Sequence, residues 1–224
     1  MGRRLLPGLL LVAILAAGCG GGSSSSSNGE ATKSGRQVLA DAKAATAGAK
    51  GVHISGTFTD AGKIVAMDLV LSQDGGKGFI AQGGARADLA RVGNTAYIRA
   101  STAFWQKYAG AGGAAQLLHD KWLKGSATKQ PFMAFGRFLS IKGLIDDYFK
   151  TYAKLTNLGE KTYKGQKVVA IKDLRNQGIL YIAATGTPYP VAASGGGSIG
   201  FVDWDKEVSV SAPKGAIDIG SLGG

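Results

Sequence analysis

The chain has 224 residues, 45% of them hydrophobic and 8% aromatic, with 36 glycines and a formal net charge of +11 at pH 7. This composition excludes a wholly disordered chain, and the length allows one substantial core. A single cysteine excludes a disulfide framework, and no fixed repeat period points to an array.

The N-terminus reads as an export signal over residues 1–18. Arg3 and Arg4 supply the positive segment, Leu5 to Ala17 the apolar segment, and Ala16, Ala17 and Gly18 the small-residue cleavage site. The apolar run is about 13 residues long and carries Pro7, whereas crossing a bilayer takes about 20 apolar residues. Arg3-Arg4 lacks the polar and aromatic neighbours of a twin-arginine signal, which points to the general secretory route. Small residues directly before Cys19 resemble the lipobox of bacterial lipoproteins. That resemblance implies cleavage between Gly18 and Cys19 and a diacylated thiol, although the usual Leu three residues before the cysteine is Ala16 here, with Leu15 one earlier. The other reading of Cys19, a buried or metal-binding thiol, has no Cys or His nearby to support it.

Two or three acyl chains, at about 0.8 kcal/mol per buried CH₂, make attachment effectively permanent. Residues 19–32 are then a lipidated Cys19 and a Gly/Ser tether. About 13 residues from Cys19 to Lys33 give a flexible-coil reach of roughly 20 Å. Loss of the two arginines lowers the formal charge from +11 to +9, which suits anionic lipid or an anionic envelope polymer. An exported chain without a basic cluster interleaved with aromatics does not suit nucleic acid.

Residues 33–224 read as one domain. Lys33 to Lys50 is Ala-rich, with Val38, Leu39, Ala42 and Ala45 near helical spacing, and Gly51 ends it. Period-2 segments follow at Val52–Asp60, Lys63–Ser72, Lys77–Gln82, Ala85–Gly93 and Thr95–Ala100, joined by Ala61-Gly62, Gln73–Gly76, Gly83-Gly84 and Gly93-Asn94. Links this short make an antiparallel meander. Ser101–Tyr108 and Ala114–Gly125 read as short helices, and Phe132, Met133, Phe135, Phe138 and Leu139 begin a longer apolar run. Ile141, Leu144, Ile145, Tyr148, Phe149 and Tyr152 form one helical stripe, with Lys142, Asp146, Asp147 and Lys150 off it. Strands resume at Leu155–Glu160, Lys167–Leu174, Gly178–Thr185, Pro188–Ser194 and Ser198–Trp204, with Glu207–Pro213 as a further candidate.

Catalytic and cofactor signals are weak. Gly195–Gly200 spells GxGxxG but leads into a strand, and Gly110–Ala115, which nearly does, lies between helices, so both read as turns and no cofactor is expected. His53 and His119 are isolated, no Gly-x-Ser-x-Gly elbow appears, and Asp146 and Asp147 point apart on adjacent helical positions. No catalytic residue, no metal site and no enzyme are expected. Phe104-Trp105 with Trp122 reads as core filling or as a stacking platform or membrane lip, and Lys107, Lys121 and Lys124 as ordinary surface or an anionic head-group site.

The order helix, meander, helical insert, meander gives an α+β class, with a curved antiparallel sheet and helices on its concave face. Behind a lipobox, that order resembles the actinobacterial LppX/LprG-type lipoproteins of the LolA/LolB-like half-barrel superfamily. The stretches that carry the resemblance are Gly165–Pro213, with Gly186–Pro190, Asp203-Trp204 and Ala212-Pro213, and Gly93–Trp105. It implies an apolar cavity for acyl chains in a carrier of lipids or glycolipids, held as a monomer on the extracytoplasmic face of the cell membrane. Candidate lining residues are Val65, Met67, Leu69 and Leu71 on the sheet and Phe135, Phe138, Ile145 and Phe149 on the helices; each is equally placed to fill a core. The alternative is a structural or interaction lipoprotein with a filled core that binds a protein or an anionic wall polymer.

Overall fold

The computed structural model describes residues 26–108, 114–147, 149 and 154–219. Ser34 caps helix α1 (Gly35–Gly48) through a reciprocal box with Gln37. Val38, Leu39, Ala42 and Thr46 are the buried side chains of this helix, one stripe at helical spacing.

The first meander is β1 (Gly51–Asp60), β2 (Lys63–Ser72), β3 (Gly75–Gln82), β4 (Ala85–Val92) and β5 (Thr95–Ala100). Helices α2 (Thr102–Tyr108) and α3 (Ala114–Leu118) then lead into β6 (Leu123–Ser126). Next come α4 (Met133–Phe138) and α5 (Ile141–Asp147), then β7 (Leu155–Tyr163), β8 (Gln166–Asp173), β9 (Ile179–Ala183), β10 (Pro190–Ser194) and β11 (Gly197–Val202). A two-residue strand, β12 (Ile217–Asp218), ends the described chain.

These strands form one large, open, curved sheet of 12 strands in the order β12-β6-β5-β4-β3-β2-β1-β11-β10-β9-β8-β7. Every pairing is antiparallel except β12 with β6. The chain therefore walks from β1 to one edge, crosses over as α4 and α5, and returns from the other edge until β11 closes on β1. Registered partners share a face, so the pairs Ile171–Leu180, Leu180–Ala193, Ala193–Ile199, Phe201–Ile54, Ile54–Leu69, Leu89–Ile98 and Ile98–Leu123 mark one apolar inner face. Gly78 stands between Leu69 and Leu89 at φ 153°, and a Cβ there would lie 1.9 Å from the Asp68 carbonyl oxygen. Only glycine permits that sharp coil inside a strand.

The helical insert lies on the inner face. The Phe132 ring occupies the space a Gly125 side chain would take, 2.4 Å from its Cβ position. Arg91 pins the α4–α5 junction by donating to Gly136 O at 2.7 Å and Ser140 Oγ at 3.3 Å. On the other half, Gly35 of α1 sits against Leu155 and Asn157 of β7.

Three expectations change. Ala114–Gly125 is helical only to Leu118; Asp120 breaks it at φ 58°, and Leu123, 1% exposed, is drawn into the sheet beside β5. Glu207–Pro213 is no strand, because β11 is already paired on both sides by β1 and β10. Instead the tail crosses the outer face, with Lys206 O and Val208 over Gly51 and Ser209 O accepting from Lys77 Nζ at 3.4 Å. The long apolar stripe keeps its helix over Ile141–Asp147, and Tyr148 and Tyr152 lie outside the described residues, as do Cys19 and the export signal. Finally, the packed chain begins before Lys33: Ser27 bridges Thr185, and Asn157 Nδ2 donates to the carbonyls of Glu30, Ala31 and Lys33. Among the described residues no helix is long and apolar enough to cross a membrane.

Candidate ligand cavity

A cavity of about 760 Å³ lies between the inner face of β1–β4, β10 and β11 and the helices α2, α4 and α5. Alternation in each strand aims every second side chain into it: Ile54 and Phe58 from β1, Val65, Met67, Leu69 and Leu71 from β2, Ile80 from β3, Leu89 from β4, Ile199 and Phe201 from β11. Phe104 and Tyr108 line it from α2, Ala134, Phe135 and Phe138 from α4, and Gly143, Leu144 and Asp147 from α5. Phe138 is 59% exposed, whereas Leu71 and Ile54 at the inner end are 1% and 2% exposed.

Of the eight exposed lining residues, Thr57, Asp60, Tyr108, Asn176, Gly195 and Gly197 gather where β1 and β10 end and β2, β9 and β11 begin, while Ala134 and Phe138 lie on α4. The strand end, with six of the eight, is the mouth, and its polar groups are few. Asp147 is ion-paired with Arg137, and Asn176 Oδ1 accepts from Gly178 N at 2.8 Å. The Gly195–Gly197 run makes the turn between β10 and β11 in an antiparallel setting.

Of the eight expected lining residues, Val65, Met67, Leu69, Leu71, Phe135 and Phe138 line the cavity. Ile145 and Phe149 do not; Phe149 is 2% exposed in the packed core and Ile145 lies against that core. A helical stripe covers several rows, and only some of them, Leu144 among them, face the open space. Ile54, Phe58, Ile80, Leu89, Ile199 and Phe201 line it without having been singled out by the sequence reasoning. Their signal is present, since each holds an inward position of an alternating strand.

Other sequence candidates scatter. His53 meets Asp68 at 3.0 Å on the outer face, and His119 is exposed. Phe104 packs edge-on to Trp105 at 5.5 Å, but Trp122 lies against Arg99 at 5.1 Å on the outer face, so the three rings form no single platform. Lys107 bonds to Gln82 and Lys124 approaches Asp218 at 3.7 Å. Among the described residues no three His, Cys, Asp or Glu side chains converge as metal ligands would.

A polar clasp stands at the end away from the mouth. Tyr189 stacks on Trp204 at 4.6 Å and donates its hydroxyl proton to Asp205 Oδ2 at 2.6 Å, while Trp204 Nε1 donates to Pro190 O. Burial, then the Asp205 hydrogen bond, pushes the Tyr189 phenol up to about 12. The Tyr189 hydroxyl and the Lys50 N–H hold the Asp205 carboxyl below its ordinary value.

No family model and no curated protein matches the chain. An uncharacterized conserved protein from Thermus thermophilus overlays with a TM-score of 0.41 at 9% identity, over 82% of this chain and 97% of that one. PNGF-II overlays at 0.30 and 10% identity, over 77% of this chain and 31% of that longer one. A DUF1329 family protein from Desulfovibrio piger overlays at 0.26 and 13% identity, over 80% and 95%. None of these overlays is close enough to lend this chain a fold or a role.

Proposed function

We propose that the chain is a non-enzymatic envelope lipoprotein, anchored through an acylated Cys19. Its sheet acts as a half-barrel that shields the acyl chains of a lipid or glycolipid. The carrying observation is the apolar cavity of about 760 Å³. Its size falls within the roughly 300–1,000 Å³ of small-molecule sites. Each methylene moved from water into it contributes about 0.8 kcal/mol, so ten give about 8 kcal/mol before the cost of ordering the chain. The rim, with Asp60, Asn176 and Ser194, leaves polar partners for a head group where the cavity meets water. An interaction lipoprotein is expected to have a filled core, so the open volume supports the carrier reading over it.

Lipid extraction from the chain purified out of membranes, followed by mass spectrometry, tests this reading. An acyl lipid in stoichiometric amount is expected. An empty chain that also ignores fluorescent fatty-acid probes would sink the proposal.

A further inference from the structure

The chain enters the domain at the end opposite the cavity mouth. Ser27 bridges Thr185, Asn28 N donates to Ala184 O at 3.0 Å, and the Asn28 side-chain amide donates to Ala183 O at 2.9 Å and Gly186 O at 3.0 Å. Those carbonyls sit at and just past the end of β9, whereas the lining residue Gly178 stands just before its start. The other strands agree. Asp60 and Val65 flank the β1–β2 turn, and Ser194 and Gly197 flank the β10–β11 turn. Antiparallel pairing puts both turns at the end where β9 begins. Seven residues separate Gly178 from Thr185, about 23 Å at the 3.3 Å rise of a strand.

We infer that the anchored chain holds its cavity mouth away from the bilayer that anchors it, so that cargo passes to or from a donor or acceptor beyond that bilayer rather than the anchoring leaflet. This rests on the reading of Cys19 as the anchor. Ser27 follows Cys19 by eight residues. Fully extended, eight residues span at most about 29 Å, and as a flexible coil they reach about 16 Å root-mean-square. To present the mouth to the leaflet, that segment would have to run back along the height of the sheet, using nearly its whole contour. Upright, it needs none of it. The end nearest the leaflet is then the Tyr189–Trp204 clasp, while Trp105 rides on α2 between the lining residues Phe104 and Tyr108.

The test uses the chain from Cys19 onward, coupled through its one thiol to a maleimide lipid in phosphatidylcholine vesicles that carry some dansyl-labelled lipid. Tryptophan-to-dansyl energy transfer reads height above the leaflet with no ligand present. Trp204→Phe is expected to remove most of the transfer, and Trp105→Phe and Trp122→Phe little. Transfer that survives Trp204→Phe and is lost with Trp105→Phe overturns the inference. A second readout follows uptake of a fluorescent fatty acid from the anchoring vesicle or from separate vesicles. Inserting a second copy of residues 20–26 is expected to speed uptake from the anchoring vesicle several-fold and leave uptake from separate vesicles unchanged. Equal uptake from the anchoring vesicle with either tether length counts against it. If the uncoupled chain binds no probe at all, the carrier reading fails, and energy transfer still decides the orientation.

Discussion

Under α1, strands β8 and β9 bury Val169, Ile171, Leu180 and Ile182 against Val38, Leu39 and Ala42, each at most 8% exposed. Across the same inner face, β1–β4 and β11 present side chains of the same kind to α4 and α5 and leave about 760 Å³ unfilled. The strands do not make the difference, because both halves alternate alike. The covers do: α1 lies along its half as one helix of 14 residues with a capping box, whereas the other half is covered by the 6-residue α4 and by α5, which meet at a break at Leu139-Ser140. One continuous amphipathic helix seals its half, and a broken cover roofs the other without filling it.

The sharpest way to break this contrast is to cut one leucine from each half. Leu180→Ala opens a hole in packed core and is expected to cost about 3–5 kcal/mol. Leu89→Ala only enlarges an existing space, and its cost is expected near 2 kcal/mol. Urea unfolding of the two variants checks the ordering, and equal losses would mean the two halves are packed alike. Filling the space tests the same point from the other side. Met67→Trp is expected to weaken fatty-acid probe binding at least about tenfold, or 1.4 kcal/mol, with no loss of stability. Leu180→Ala at subdenaturing conditions should leave probe affinity nearly unchanged.

Smaller effects sharpen the account of the sealed half. Ser34→Ala removes the side-chain cap of α1 and is expected to cost about 1 kcal/mol by thermal unfolding, without touching probe affinity. Tyr189→Phe breaks the bond to Asp205 and is expected to cost at most about 1 kcal/mol near neutral pH. The pH dependence has a definite sign. The Tyr189 pKa is raised to about 12 in the fold, so the contribution is fully present below 10 and is lost between 10 and 12. The Asp205 pKa is lowered, so the contribution is present above the ordinary value near 3.8 and is lost as pH falls through the lower folded value. The stability gap between wild type and Tyr189→Phe should therefore be flat between those limits and narrow outside them.

Much of this contrast is legible without coordinates. Alternation locates β1–β5 and β7–β11, and Ala61-Gly62 and Gly83-Gly84 take the positive φ that tight hairpins need. Hidden features are those that depend on what lies next to a segment. Leu123–Ser126 continues a helical pattern, and only the open edge of β5 makes it a strand. Glu207–Pro213 alternates like a strand and finds no free edge beside β11. Ser27 and Asn28 match a Gly/Ser tether in composition, yet Thr185 and the carbonyls of Ala183, Ala184 and Gly186 tie them to the domain. Ile145 and Phe149 share a stripe with Leu144, but a stripe does not say which of its rows faces space.

The central claim is that the unfilled half holds acyl chains. Native mass spectrometry of the chain, purified without detergent after exposure to phospholipid vesicles, tests it most directly. A mass increased by one acyl lipid is expected for the wild type and the bare mass for Met67→Trp. A bare wild-type chain, or a lipid adduct undiminished by Met67→Trp, would contradict it.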